Sequence, residues 1–359
     1  MNLNRDTYFQ RQTTLSEIGE AGQDLLQKAK VLVIGCGGLG NPIAVYLATG
    51  GIGELHLVDF DTVSVSNLHR QVFFKIKDIQ QPKAEVLANE VKKRAPFTKV
   101  SFTNEAVTKN SILELVSKFD VVVDATDNLG IKYLINDACV LAKKPLVYGS
   151  LYKFDGYVAT FNVQNKEGDF SSNLRDAFPK IATDIPNCEE AGTMNPIVGV
   201  ISLLQVNEVI KLITKTGKLL TNQLLIYNAL ENTQFKMKLK KNMDLDIKSI
   251  FENSEYLTET CSNQDPSLLI SALALKEKIG DSTLEIVSVF NAPDAFIPFK
   301  VHQKIPYNAF KVENFQPDFK KYYVIICPKG ITSYEVTLKL KEKYPLLSVF
   351  SLAEGIINY

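Results

Sequence analysis

The sequence predicts an α/β fold: a Rossmann-like nucleotide-binding domain with a mixed sheet, followed by a small α/β domain. Three observations carry this. Short apolar runs alternate with helix-length segments from residue 30, a glycine-rich turn joins the first run to the first helix, and the pattern changes after Gly149 and restarts near residue 266. KVLVIG is the first strand, CGGLGNPIAVYLATGG turns and opens a helix, and GELHLVDFD supplies the second strand. Continuous apolar runs such as VLVIG and DVVVDA suit strands buried on both faces of a parallel sheet. A helix over 83–94, a strand at 100–103, a helix over 111–117, a strand at 120–124, a helix over 131–142 and the strand PLVYG continue the alternation. Beyond Gly149, DGYVATFNV and QLLIYNALENTQFKMKLK read as antiparallel strands, with a long apolar helix over 196–214 between them. The charged stretch 242–265 has no steady period and reads as a linker. SLLISALALKEK (helix), LEIVSVF (strand), KYYVIICPKG (strand and loop), SYEVTLKLKEKY (helix) and LLSVFSL (strand) then form the second alternation. The expected domains are therefore 1–241 and 266–359, joined by 242–265.

The 359 residues are 45% hydrophobic and 22% charged, the composition of a folded chain. Forty Lys+Arg balance forty Asp+Glu, so no whole-chain charge favours a nucleic acid or an anionic membrane, and neither is expected as a partner. MNLNRDTYFQRQ lacks the apolar core of a signal peptide, and no apolar run is expected to span a bilayer. Cys36, Cys139, Cys188, Cys261 and Cys327 are too scattered for a disulfide framework, which points to free thiols and a cytoplasmic setting.

Gly35, Gly37, Gly38 and Gly40 follow a strand and open a helix, the context a GxGxxG fingerprint needs: the glycines let backbone N–H groups approach phosphate at a helix N-terminus. Asp59, at the end of the second strand, suits a ribose hydroxyl. A nicotinamide dehydrogenase would show as much. Residues further along the chain shift the balance, because Arg70, Lys83 and Asp127 fall at strand ends or helix starts on the carboxyl edge. A diphosphate bound through backbone has no use for them, whereas a triphosphate with Mg²⁺ needs cations for the phosphates and a carboxylate for the metal. Taken singly, Arg70 and Lys83 would be surface charges and Asp127 a helix cap.

Tyr8-Phe9-Gln10-Arg11-Gln12, GCGGLGNP, DFDTVSVSNLHRQ, DIQQPKA, DATDN and NCEEAG, in this order and spacing, resemble the MoeB/ThiF/HesA family, bacterial relatives of ubiquitin-activating enzymes. The resemblance covers roughly residues 4–240. It implies an adenylyltransferase that uses ATP and Mg²⁺ to activate the C-terminal glycine of a ubiquitin-like sulfur carrier of the ThiS or MoaD type, for thiamine or molybdopterin biosynthesis. By the same resemblance Arg70 and Lys83 hold the phosphates, Asp127 holds Mg²⁺, and Asp59 binds the ribose. Asp61, Asn67, Gln71 and Asn128 complete the nucleotide site, and Arg11 reaches the triphosphate of a neighbouring subunit, which implies a homodimer. A cysteine desulfurase is the sulfur donor such a system would draw on. Alternatives are activation of a ubiquitin-like protein for conjugation and a nucleotide-binding scaffold without turnover.

The sequence departs from the family in places. Lys132 stands where many members carry Arg, keeping charge without the planar fork. Relatives commonly carry two CxxC zinc pairs. Here the first falls on Asn173 and Asp176 and the second near Leu245 and Lys248, so no zinc is expected. Cys188 lies where the family carries a cysteine that bonds to the activated carrier; the alternative is a small buried hydrophobe, and Glu189 and Glu190 would raise its pKa. The last segment is similar to a rhodanese domain whose loop begins at Cys327. Thr332 stands where arginine is common, so two readings remain, a persulfide carrier or a degenerate docking module. Carrying a sulfur donor on the same chain would raise its effective concentration at the adenylate.

Overall fold

The computed structural model describes residues 3–179, 192–242, 244–254, 256, 265–290, 297–328, 330–353, 355–356 and 359. The chain divides into two compact units, Met1–Thr258 and Glu259–Tyr359.

In the first unit, α1 (Arg5–Thr13) and α2 (Gly19–Lys28) precede β1 (Lys30–Ile34), α3 (Gly40–Thr49) and β2 (Glu54–Val58). Next come α4 (Lys83–Lys92), β3 (Lys99–Thr103), α5 (Lys109–Ser117), β4 (Val121–Asp124), α6 (Leu129–Leu141) and β5 (Leu146–Tyr152). The unit closes with β6 (Asp155–Phe161), α7 (Leu174–Ala177), α8 (Asn195–Thr214), β7 (Gln223–Asn228), β8 (Thr233–Lys238) and α9 (Ile247–Asn253). One eight-stranded sheet runs β3-β2-β1-β4-β5-β6-β7-β8. Pairing is parallel from β3 to β5 and antiparallel from β5 to β8, the mixed sheet expected from sequence. The parallel strands alternate into two cores: Val31 and Val33 of β1 face one cluster with α3 and α8 residues, while Leu32 and Ile34 face another with α5 and α6 residues. That two-sided burial is why KVLVI reads as one apolar run.

Two segments differ from the sequence reading. Residues 195–214 form a helix that is, by length and composition, apolar enough to cross a bilayer. Its Ile197, Ile201 and Val209 are buried in the core, and Glu208 accepts hydrogen bonds from Thr160 Oγ1 (2.5 Å) and the Leu220 N–H (2.8 Å). Within the stretch read as a linker for want of a steady period, α9 buries Ile247 and Phe251. The spacing Ile247, Ile250, Phe251 gives a one-sided apolar stripe too short to stand out among its charged neighbours. Beyond it Tyr256 donates to Asp137 Oδ2 (2.5 Å), a buried carboxylate that also takes Arg175 through Nε and Nη2 (2.7–3.0 Å).

The second unit holds β9 (Leu269–Ile270), α10 (Ala272–Lys278), β10 (Leu284–Ser288), β11 (Gln303–Lys304), β12 (Tyr322–Ile326), α11 (Ile331–Lys343) and β13 (Val349–Leu352). Its five strands are all parallel, in the order β11-β10-β12-β13-β9.

Candidate functional site

The strand order reverses direction at β1, which lies between β2 and β4. The crevice at the carboxyl ends of such neighbours is where open parallel sheets bind ligands. Three chain segments leave the sheet there: the glycine turn after β1, the long connection after β2, and residues 125–128 after β4.

The glycine turn is dictated by space. Gly35 has φ +96°, and a Cβ on it would lie 2.6 Å from the Ala125 carbonyl oxygen. A Cβ on Gly40 would sit 1.8 Å from the Gly35 oxygen. These two glycines fix the turn. Gly37 and Gly38 face side chains of the site instead: a Cβ on Gly37 would be 3.5 Å from Gln71 Nε2, and one on Gly38 4.0 Å from Arg70 Cδ and 3.0 Å from Val198 Cγ1. α3 begins at Gly40, and its Asn41 and Ile43 N–H groups donate back to the Gly37 and Leu39 carbonyls (2.9 and 3.3 Å), so the turn winds directly into the helix whose positive end faces it.

Asp59 ties the turn to the next strand end. Its Oδ2 accepts from the Cys36 N–H (2.6 Å) and its Oδ1 from the Asp61 N–H (2.8 Å). Burial pushes its pKa up to about 6, Asp61 adds to this, and Lys83 with the two N–H bonds pulls the other way. The Lys83 side chain is buried and its Nζ donates to Asp61 Oδ2 (2.9 Å). Burial works against that ammonium, yet Asp59, Asp61 and Asp127 outweigh it and hold its pKa above the ordinary value. Lys83 therefore remains a cation among three carboxylates.

The connection after β2 is a closed loop. Thr62 bridges to Pro82, the Val63 N–H donates to the Gln81 carbonyl (2.9 Å), and Asn67 Oδ1 caps the Ser64 N–H (3.2 Å). Asn67 thus shapes the loop. The loop is pinned to α3 where Phe73 N–H donates to Asn41 Oδ1 (2.8 Å). Arg70 Nη1 donates to the Ser66 carbonyl (2.9 Å). Gln71 is buried, and its Oε1 has no hydrogen-bond partner among the described residues. An orphaned acceptor beside Gly37 suits a ligand that donates a hydrogen bond.

At the end of β4, Asp127 is exposed and Asn128 caps α6, its Oδ1 accepting from the Ile131 N–H (2.9 Å). Asp127 is a hard oxygen donor of the kind Mg²⁺ takes from protein. A glycine cradle with no room for a Cβ at Gly35 or Gly40, an orphaned amide and a lysine held cationic together fit a nucleoside triphosphate.

Other expected residues lie elsewhere. Arg11 is exposed in the last turn of α1, a helix whose Tyr8 donates to the Arg94 carbonyl (2.9 Å) and Gln12 to the Gly50 carbonyl (3.0 Å), groups that precede β3 and β2 rather than follow a strand into the crevice. Cys188 lies outside the described residues. Lys132 is no surface cation: it is 2% exposed and pairs with Asp124 beneath the site. Asn173 and Asp176 form a reciprocal cap on α7, and Asp176 Oδ1 accepts from the Asn242 N–H (2.7 Å). Among the described residues no group of three or more His, Cys, Asp or Glu could hold a metal ion. In the second unit Cys327 follows β12; its Sγ accepts from the Gly330 N–H (3.1 Å) and lies 3.1 Å from Ser333 Oγ, and the residue is 1% exposed. Asn41, Asp124 and Thr126 were missed by sequence reading; the strand-final position of Asp124 was the available signal.

These features define a nucleotide-binding protein of the Rossmann-like α/β class, built to handle phosphate groups. More narrowly, the chain belongs to the ThiF family, whose model matches residues 9–247. Over 236 residues it is 39% identical to the sulfur carrier protein adenylyltransferase of Thermus thermophilus, covering 65% of this chain and 87% of that protein. It is 40% identical to the adenylyltransferase and sulfurtransferase MOCS3 of Dictyostelium discoideum over 223 residues, covering 62% of this chain and 52% of the relative. With a probable adenylyltransferase/sulfurtransferase MoeZ of Mycobacterium tuberculosis it shares 36% over 236 residues, covering 65% of this chain and 60% of that one. The match thus spans little more than half of these two relatives. Among solved structures, E. coli MccB with ATP superposes with a TM-score of 0.59 at 26% identity, covering 68% of this chain and 74% of that one.

Proposed function

We propose that this chain is an ATP-dependent adenylyltransferase that activates the C-terminal carboxylate of a ubiquitin-like sulfur carrier. The observation that carries this is the grouping of Lys83, Asp59, Asp61 and Asp127 around a glycine cradle at the strand-order reversal, in a chain of the ThiF family. One carboxylate oxygen of the carrier attacks the α-phosphorus, the bond to the β-phosphate bridging oxygen breaks, and pyrophosphate leaves with the electron pair. The attacking group is already ionised, so no general base is needed. Two anions must be brought together, and Lys83 and Arg70 supply the neutralising charge. Asp127 would hold Mg²⁺, which when bound neutralises phosphate charge; Asp59 would take the ribose, and Gln71 Oε1 a donor on the nucleotide.

Three finer readings go with it. Arg11, exposed and remote from its own crevice, supports a homodimer in which it serves the partner's site. The five-stranded parallel unit with Cys327 at the head of a loop supports a rhodanese-like domain, and the Gly330 N–H donated to Sγ supports a persulfide there. The free thiols of Cys36, Cys139 and Cys327 support a cytoplasmic setting. ATP–pyrophosphate exchange with purified protein, offering ThiS-type and MoaD-type carriers separately, tests the central claim. Exchange with one carrier establishes adenylation; none with either, despite ATP binding, favours the scaffold without turnover.

A further inference from the structure

Beneath the crevice lies a charged pair whose side chains, among the described residues, make no hydrogen bond to those assigned to the nucleotide. Lys132, from the first turn of α6, is 2% exposed, and Asp124, the last residue of β4, is fully buried. Lys132 Nζ donates to Asp124 Oδ2 (3.1 Å) and to the Gly149 carbonyl of β5 (2.7 Å), and stands 5.0 Å from the centre of the Tyr148 ring. Asp124 uses its other oxygen, Oδ1, to accept from both the N–H (3.0 Å) and the hydroxyl (2.7 Å) of Thr126. Gln205 of α8 closes the arrangement from the side, its Nε2 donating to the Asp124 carbonyl (2.8 Å). A Cβ on Gly149 would lie 2.2 Å from the Gln205 amide, so the strand can come this close only with glycine there.

A buried ion pair of this kind contributes little net stability against an apolar replacement. Its geometry here does something else. Both hydrogen bonds from Thr126 are made to the carboxylate that Lys132 pairs with, and they turn the chain back on itself immediately after the strand. The next residue is Asp127. Asn128 then caps α6 and Lys132 sits one turn further on, so the segment from Asp124 to Lys132 is held at both ends by the same pair of charges.

We propose that Lys132 and Asp124 are positioning residues that act through Thr126 to fix the carboxylate of Asp127 where the metal-bound triphosphate needs it. The inference rests on the proposed function for the identity of that ligand. Lys132 then belongs to the site without touching substrate: its charge orders the turn and leaves the phosphates to Lys83 and Arg70. A carboxylate held in place before the metal arrives loses less freedom on binding, and the gain appears only in the metal-bound complex.

The test is calorimetric titration of the full chain with ATP, with and without Mg²⁺, for wild type, Thr126→Val, Lys132→Met and, as the reference for a lost metal contact, Asp127→Asn. Thr126→Val keeps the shape and removes one hydrogen bond to a charged group. It should weaken binding of ATP with Mg²⁺ about tenfold, the weight of one such bond, while leaving binding of ATP alone within twofold. Lys132→Met should show the same split, larger. Thermal melting establishes that each variant is folded, and if Lys132→Met is not, Thr126→Val decides. Equal losses with and without Mg²⁺, or no loss in either, overturn the positioning role. If wild type itself binds no ATP, the proposed function fails and the inference with it, a result distinct from a wild type that binds beside an unaffected Thr126→Val.

Discussion

Replacing Lys83 with Met would remove the cation on which the crevice turns while nearly keeping its shape. The Lys83 ammonium is 2.9 Å from Asp61 Oδ2 and also answers the charges of Asp59 and Asp127. Asp61 is half exposed and would be rehydrated, so the loss of the pair itself should cost the fold only about 1 kcal/mol. The nucleotide loses more. One charge-assisted hydrogen bond to phosphate is worth about 1.5–3 kcal/mol, and the carboxylates of Asp59 and Asp61, no longer balanced, then repel the triphosphate. Together these give a loss of about 3–4 kcal/mol in transition-state stabilisation, a fall of about 10²–10³ in rate. ATP–pyrophosphate exchange with saturating carrier measures it, with urea denaturation as the check on folding. A Lys83→Met protein that stays folded and exchanges within threefold of wild type would refute the assignment of Lys83 to the phosphates.

Asp59 makes a prediction in pH. Its pKa is raised from 3.8 to about 6 by burial, so the folded state holds a proton that the unfolded chain has already released. Its contribution to stability is therefore present below pH ~4 and lost as pH rises through ~6. Melting temperatures of wild type minus Asp59→Asn should fall across that window; a flat difference excludes the shift. If Arg11 serves a partner's site, mixing and re-equilibrating inactive Arg11→Ala and Asp127→Asn chains should restore about a quarter of wild-type exchange, since half the dimers are mixed and each has one intact site; no recovery would place Arg11 outside the site. Cys327→Ala should abolish transfer of sulfur from thiosulfate to cyanide by the full chain; activity that survives, or is absent from wild type, leaves the second unit as a docking module.

The glycine turn, the strands either side of it and the acidic and basic residues at their ends were legible because each is a local signal: a short apolar run, a backbone that cannot carry a Cβ, a charge next to a strand end. Lys132 was not. The sequence shows only a charge at a position where the family often has arginine, whereas its partners are Asp124 eight residues earlier and a carbonyl on the neighbouring strand. Which way a helix's first turn points is settled by packing, and no spacing in the chain encodes it. The helix at Ile247–Asn253 was hidden for a similar reason, since its apolar stripe has meaning only against α6, the element it covers. Arg11 is the opposite case: its role was suggested by resemblance alone, and among the described residues its side chain has no hydrogen-bond or ion-pair partner.

The bond from Tyr256 to Asp137 bears on the order in which the molecule is made. Asp137 lies on a central helix, and Arg175 emerges from the ribosome well before Tyr256, which comes 119 residues after Asp137. Until that tyrosine arrives, one oxygen of a buried carboxylate must share its bonds among fewer donors, and the apolar faces that Phe251 and Tyr256 later cover stay open to water. The nascent unit therefore spends the last part of its synthesis as a nearly finished sheet with an unsealed flank. At that stage a chaperone has a surface to hold, and the closing contact is made by residues that a shorter gene fragment would leave out.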